Sequence, residues 1–370
     1  ASDSEYLVQF NLKCTHANFI ASPTVAITAA EVIDGATSED GTLSLTFKTS
    51  HTTTDFVTGD VTVAGGSLGS ISGTGTTYTA TFTPSSGGET TIQVLAGKFT
   101  DYSGNKNAAS DVFNWTYVEK FVSVWKVGNA LYGDGDLSVT LPLVSGGNYD
   151  FNIVWEAGGA TERITSWNQD EVTHDYEDAG DKTISIGGAY NTIVGWRFAN
   201  GVDKDKITTI SNWGTLNIST NQAFRGCTKL NVTATNAPTI SDGQSLSGIF
   251  NNCPALTSIG GDWDVSVAVN CTEAFQSCAN FNQDISSWDV SNVGSTYKMF
   301  KSASTFDQPL NAWGSKTGNV TNMAAMFDRA SSFNQDIGGW DVSKVENMSD
   351  MFIYATDFDG DISNWNTGEV

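Results

Sequence analysis

Acidic side chains recurring at fixed intervals are the residues whose type and spacing most invite chemistry. Asp284, Asp336 and Asp361 occupy one slot of a repeated phrase, and Asp264, Asp289 and Asp341 occupy another. Carboxylates stacked at the spacing of paired strands, about 4.8 Å, repel unless something relieves them. Water can solvate them, backbone N–H groups can bind them in Asx turns, or a cation can bridge them. Asp101 stands four residues before Asn105 in a D-x-x-G-N turn, which would either approach calcium or close on itself. Calcium at Asp101, Asn105, Asp284, Asp336 and Asp361 is therefore the one cofactor the pattern brings forward, and solvated or turn-bound carboxylates outweigh it.

The thiols and imidazoles point away from catalysis. Cys227, Cys253 and Cys278 share a position that later copies fill with Ala303, Ala330 and Ala355. That is a slot for small buried side chains, with a disulfide between stacked neighbours as the alternative. Cys271 shares the slot of Met323 and Met348, and Cys14 is left as the candidate reactive thiol. No Cys-x-x-Cys or Cys/His cluster supports zinc. His16, His51 and His174 are scattered, and no P-loop, H-E-x-x-H or G-x-G-x-x-G motif occurs. A glycosidase-type carboxylate pair finds no element here that would build a cleft around it. An enzyme is the class expected least. Sequons at Asn114, Asn217, Asn231, Asn270, Asn319 and Asn347 arise largely from the repeat itself.

A repeat must position these side chains. Phe281–Val293 reads FNQDISSWDVSNV, and the phrase returns from Phe306, Phe333 and Phe358. Trp263, Trp288, Trp313, Trp340 and Trp365 are 25, 25, 27 and 25 residues apart. Phe224, Phe250, Phe275, Phe300, Phe327 and Phe352 keep the same beat at 26, 25, 25, 27 and 25. Such periods mark a solenoid, whose units bury their apolar faces only on one another. These aromatics are its expected core. Each unit should offer a short strand at its FNQDI–WDV portion and a helical turn near Asn322–Phe327.

The copies AFRGCTKL (Ala223–Leu230), IFNNCPALTSI (Ile249–Ile259) and AFQSCANF (Ala274–Phe281) resemble the BspA-type leucine-rich repeats of bacterial surface proteins. WDVSKVENMSDMF (Trp340–Phe352) resembles the variant 25-residue repeats of bacterial lipoproteins. The resemblance covers about residues 203–370, and it implies an extracellular role in adhesion or assembly.

Ahead of the repeats the chain reads as β structure. Residues 1–22 form an arm in which Tyr6, Val8 and Phe10 alternate with polar positions. Residues 23–118 carry seven short alternating strands, the cue for an Ig-like sandwich. Its inward candidates are Leu43, Leu45, Phe47, Tyr78, Phe82, Ile92, Val94, Phe113 and Trp115. The segment resembles bacterial Ig-like domains, especially in YTATFTP and AGKFTDYSGNKN. Residues 119–202, with YDFNIVWEAGG and HDYEDAGDKTISI, resemble a PKD-type sandwich whose W-G-D-G turn has degenerated to Trp155–Gly158.

A net charge of −23 repels phosphate backbones and anionic membranes alike, so nucleic acid is excluded as a partner. No apolar run is long enough for a transmembrane span. The start at Ala1 reads as a mature form without its leader. No polar cap follows Trp365, so the chain continues or another molecule covers that end; the arm of a neighbouring copy is one occupant, and the arm's own sandwich is its other destination. The expectation is mainly β, non-enzymatic, and secreted or at the cell surface. It is either a structural subunit that self-associates into a layer or filament, or an adhesin whose solenoid recognises a glycan or a host protein.

Overall fold

The computed structural model describes residues 21–199 and 201–370. The expected arm, with Tyr6, Val8, Phe10, Cys14 and His16, lies outside them up to residue 20. The described residues form two compact units, one from residues 21–36 and 41–116, the other from 37–40 and onward from 117.

In the first unit all seven expected strands form. One sheet runs in the order Val25–Ala29, Leu43–Thr53, Ser72–Pro84, Gly66–Leu68. In the other, Gly88–Val94 lies between Val61–Ala64 and Phe113–Tyr117. Alternation sets the faces: Leu43, Leu45 and Phe47 pair with Phe82, Ala80 and Tyr78, so one side of both strands is apolar throughout. All nine inward candidates are buried. Phe56, which the pattern left out, packs edge-on against Phe47, Tyr78 and Phe99 at 5.6, 5.2 and 5.1 Å.

The second unit opens with a six-stranded sheet in the order Thr161–Ile164, Leu143–Val154, Gly180–Trp196, Phe121–Val127, Ile207–Asn212, Asn231–Val232. The strands expected at 182–188 and 192–198 are one long strand, Gly180–Trp196. Its register shifts opposite Asp150/Asn152, where Gly188 takes φ +118 and a Cβ would press on Asn152 at 3.0–3.2 Å. Glycine permits the bulge, and the strand bends there instead of ending.

The boundary expected at 202/203 falls inside this sheet. Ile207–Asn212 pairs antiparallel with Phe121–Val127 and parallel with Asn231–Val232. An edge that would stand open in a separate sandwich is thus covered by the first strand of the repeats. One apolar core runs without a break from Phe121 to Met351.

Within the repeats the local conformation departs from expectation. The FNQDI–WDV portions are irregular chain with one turn between the two halves and no strand, and the segment around Asn322–Phe327 is a series of turns with no α-helix. Two positions per copy take left-handed φ without glycine: Glu273 and Ser277, Lys298 and Ser302, Ala325 and Arg329, Asp350 and Tyr354. Each such residue costs about 1–2 kcal/mol. The return is an inter-unit ladder. The N–H groups of residues 271, 273, 275 and 277 donate to the carbonyls of 295, 297, 299 and 301 at 2.7–2.9 Å, and the next copies repeat this. A helix would turn those donors back on itself; the left-handed residues aim every second one along the stack. The 27-residue interval is absorbed by an extra turn of 3-10 helix at Asn311–Thr317.

Ring stacking follows the ladder. Phe224, Phe250, Phe275, Phe300, Phe327 and Phe352 form one column with successive centroids 5.5–5.9 Å apart. Phe281, Phe306, Phe333 and Phe358 form a second at 5.9–6.1 Å. Trp263, Trp288, Trp313 and Trp340 are buried, and Phe352, Phe358 and Trp365 of the last copy are partly buried.

Candidate functional site

The aspartate slots resolve into turn caps. Asp284, Asp336 and Asp361 accept the N–H two residues on, from Ser286, Gly338 and Ser363, at 2.8–3.0 Å. Asp264, Asp289 and Asp341 do the same with Ser266, Ser291 and Ser343. The serine hydroxyls and N–H groups hold these last three carboxyls below the ordinary carboxylate value. Asp101 is buried and accepts from the Asn105 side chain and from the N–H groups of Ser103 and Asn105, which lowers it likewise. Asp101 thus caps its own turn, with Asn105 as a donor to it. Among the described residues no group of His, Cys, Asp and Glu is arranged to hold a metal.

The remaining polar residues of the phrase are spent in the same manner. Asn282 Oδ1 accepts from the N–H of Asp307, Asp307 from that of Asn334, and Asn334 from that of Asp359, at 2.9–3.0 Å. One polar slot thus ties each copy to the next. The Trp313, Trp340 and Trp365 indoles donate to the carbonyls of Ile285, Leu310 and Ile337 in the preceding copy. Trp313 and Trp340, buried and fixed by both ring and N–H, are core with no face left for stacking on a sugar, whereas Trp365 is partly buried.

Cys227, Cys253, Cys271 and Cys278 are free and buried, so the disulfide alternative does not arise among them. Cys253 and Cys278 donate S–H to the carbonyls of Phe224 and Phe250 at 3.1 and 2.9 Å. Burial pushes the thiols of Cys271 and Cys278 up to about 12. His51 shares a 2.9 Å hydrogen bond with Ser50 Oγ. His174 stacks on buried Trp155 at 5.1 Å and meets Tyr176 edge-on at 4.6 Å. It borders an open cleft of 490 Å³ with Glu156, Asp175, Glu177, Asp178 and Lys182. Burial, aided by Glu156, keeps the Tyr176 phenol far above its usual value, and its hydroxyl donates to the Trp155 carbonyl.

Sequence reasoning missed the most heavily charged cluster. The Lys206 side chain is fully buried, with Nζ 2.6 Å from Asp136, 2.7 Å from Asp203 and 2.9 Å from Asp134. The Ser138 carbonyl lies at 2.9 Å. These groups are up to 72 residues apart in sequence, from Asp134 to Lys206, and only the G-D-G-D phrase at Gly133–Asp136 hinted at a cation. An earlier copy of the repeat was also missed. Phe198 joins the phenylalanine column at 6.2 Å from Phe224, and the Trp213 indole reaches the Ile259 carbonyl. Its signal was available: ISNW at Ile210–Trp213 recurs at Ile362–Trp365, and Trp213 lies two beats before Trp263.

The architecture is that of an Ig-like sandwich joined to a β sheet that runs on into stacked 25-residue copies. Residues 20–117 are a bacterial Ig-like domain, matching the family of that description. Residues 218–317 and 314–370 match a family described as a Mycoplasma protein of unknown function, DUF285. No curated protein matches the chain, and no solved structure does. Among the described residues no helix is long and apolar enough to cross a membrane.

Proposed function

We propose that this is a non-enzymatic, secreted or cell-surface structural protein that self-assembles into an extracellular layer or filament. The repeats are read as a solenoid of the BspA-type leucine-rich class, and residues 119–202 as a PKD-related sheet that closes its first end. The observation that carries the reading is how the repeat side chains are spent. Aspartates cap turns, asparagines tie copies together, indoles and thiols donate to carbonyls, and the aromatics fill one core. A chain built this way contributes length and rigidity. The bacterial Ig-like domain supports the extracellular setting.

Negative-stain imaging and sedimentation of the purified protein test the reading. Ordered layers or filaments are expected. A chain that stays monomeric at high concentration while capturing a glycan or host protein on its repeats would make it an adhesin.

A further inference from the structure

We infer that the open edge of the Ig-like sandwich takes Tyr6–Cys14 of a second copy as an added strand. The inference rests on the self-assembly reading and names its contact. Val25–Ala29 pairs with Leu43–Thr53 and is the outermost strand of its sheet among the described residues. The Ser50 N–H donates to the Thr24 carbonyl at 2.9 Å, and the Ala30 N–H to that of Ser44 at 3.2 Å. Antiparallel pairing alternates, so the N–H and C=O groups of Val25, Ile27 and Ala29 point away from the sheet, and no described residue pairs with them. Native edges are usually blunted by a charge, a proline or a bulge; Val25–Ala29 carries none of these. The apolar face beside this edge is also unfinished. Leu43, Leu45 and Phe47 on the next strand are wholly covered, whereas Ile27 and Ala29 stay half-buried. Beside them opens a 370 Å³ cleft lined by Val25, Ile27, Asp34, Asp111, Val112 and Phe113. Val112 is exposed, as is Ile33 next to Asp34.

Pattern, length and charge identify the occupant. In the arm Tyr6, Val8, Phe10, Leu12 and Cys14 alternate with Leu7, Gln9, Asn11 and Lys13, a strand-like run additional to those that build the sandwich. Extended, it spans about 30 Å, more than the five residues of Val25–Ala29 require. Its one charge is the cation Lys13, and Asp34 and Asp111 line the cleft. The way the chain enters the sandwich favours a second copy over the arm's own edge. Pro23 is buried with its carbonyl accepting from the Ala108 N–H, and the Thr24 N–H donates to Ser50 Oγ, each at 2.9 Å. With the chain pinned there, a return onto the same edge would need all of Thr15–Ser22 as its hairpin loop, where about two to five residues are usual. The donor arm and the acceptor edge are different surfaces, so a strand lent from copy to copy is a heterologous contact and propagates, as a layer or filament requires.

Two altered chains, their mixture and a peptide test this. Deleting residues 1–20 removes the donor. Ile27→Pro removes an outward N–H and spares the ladder to Leu43–Thr53, to which Ile27 does not donate. Circular dichroism melts check that both fold, and Ala29→Pro blocks the same edge should Ile27→Pro not fold. In sedimentation velocity the wild type is expected to assemble and each altered chain alone to stay monomeric. Mixed together they should form a one-to-one complex and stop, one supplying the arm and the other the edge. A peptide of residues 4–13 should dissolve wild-type assemblies by filling the edges, and a scrambled peptide should not. Assembly that survives the deletion, the proline and the peptide would overturn the edge contact and leave self-assembly standing. Altered chains that are monomeric but form no complex on mixing would overturn the strand exchange. A monomeric wild type whose deleted form binds the peptide would put the arm on its own edge, overturning both the second copy and the self-assembly reading.

Discussion

Lys206 shows what one residue can hold. Its ammonium is the counter-ion of three carboxylates from two segments, and no water replaces it, because the side chain is wholly enclosed. Lys206→Met is expected to destabilise the second unit by about 3–5 kcal/mol in chemical denaturation, the usual result of stranding buried charge. The loss should fall toward the lower end, since Asp134 and Asp136 reach water. Acid acts on the same lock. Burial would raise the Asp136 carboxyl, but hydrogen bonds from Lys206 and Ser138 outweigh it and hold it at about 2, against an ordinary 3.8. A carboxyl lowered on folding stabilises above its unfolded value and loses that contribution as pH falls through the folded one. The difference in stability between wild type and Lys206→Met should therefore be flat from neutrality to about pH 4 and shrink from there toward pH 2. The buried thiols offer a second check. A thiol reagent applied to native protein, followed by peptide mapping, should leave Cys227, Cys253, Cys271 and Cys278 unmodified and label all four in denaturant. Labelling of Cys253 in the native state would mean the stack opens.

The repeat is the element in which sequence and structure can be compared most closely. Trp288→Ala should cost about 3–5 kcal/mol, the penalty for truncating a large buried aromatic. A near-unchanged melting temperature would mean that the ring is not core. Ser277→Gly tests the turn ladder from the other side. Ser277 holds φ +59, a region glycine enters freely, so the change should stabilise by roughly 0.5–1 kcal/mol, part of the left-handed penalty being returned to unfolded-chain entropy. Destabilisation there would show that the side chain contributes more than its backbone strain removes. The beat of Phe275, Phe300 and Phe327 was legible because large aromatics tolerate few environments, and the nine inward residues of the Ig-like sheet pair were legible because strand alternation is strict. The turns were not legible. Residues such as Lys298 and Arg329 give no local hint of left-handed backbone, since what stabilises it is a carbonyl one copy away. Asn282 and Asp307 likewise read as surface until the neighbouring copy supplies a partner. The Lys206 cage was illegible for the same reason, its members being distant in sequence.

At the scale of the whole molecule the question is how many parts unfold independently. The sequence divides at 118 and again at 202, which would give three cooperative blocks. The contacts divide once, near residue 117. Ile207–Asn212 hydrogen-bonds to Phe121–Val127 on one side and to Asn231–Val232 on the other, so residues 119–202 lack a complete sheet without the repeats. Phe121 rings pack on Trp196 at 5.4 Å and on Trp213 at 6.3 Å, across the expected boundary. Elements sharing one core and one sheet unfold together when the interface between them is as strong as their interiors. Calorimetry should therefore resolve two transitions, one for the Ig-like unit and one for the sheet with its repeats. Tryptophan gives an independent assignment, because Trp115 is the sole tryptophan of the first unit and the other ten lie in the second. The fluorescence of a Trp115→Phe variant should follow the second unit's transition alone, with circular dichroism reporting both. Repeat arrays can also unravel from one end, which would broaden that fluorescence transition but keep it continuous with the sheet. A third, separate transition, with Trp125, Trp155 and Trp167 exposed while the repeat tryptophans remain buried, would re-establish an independent domain at 119–202.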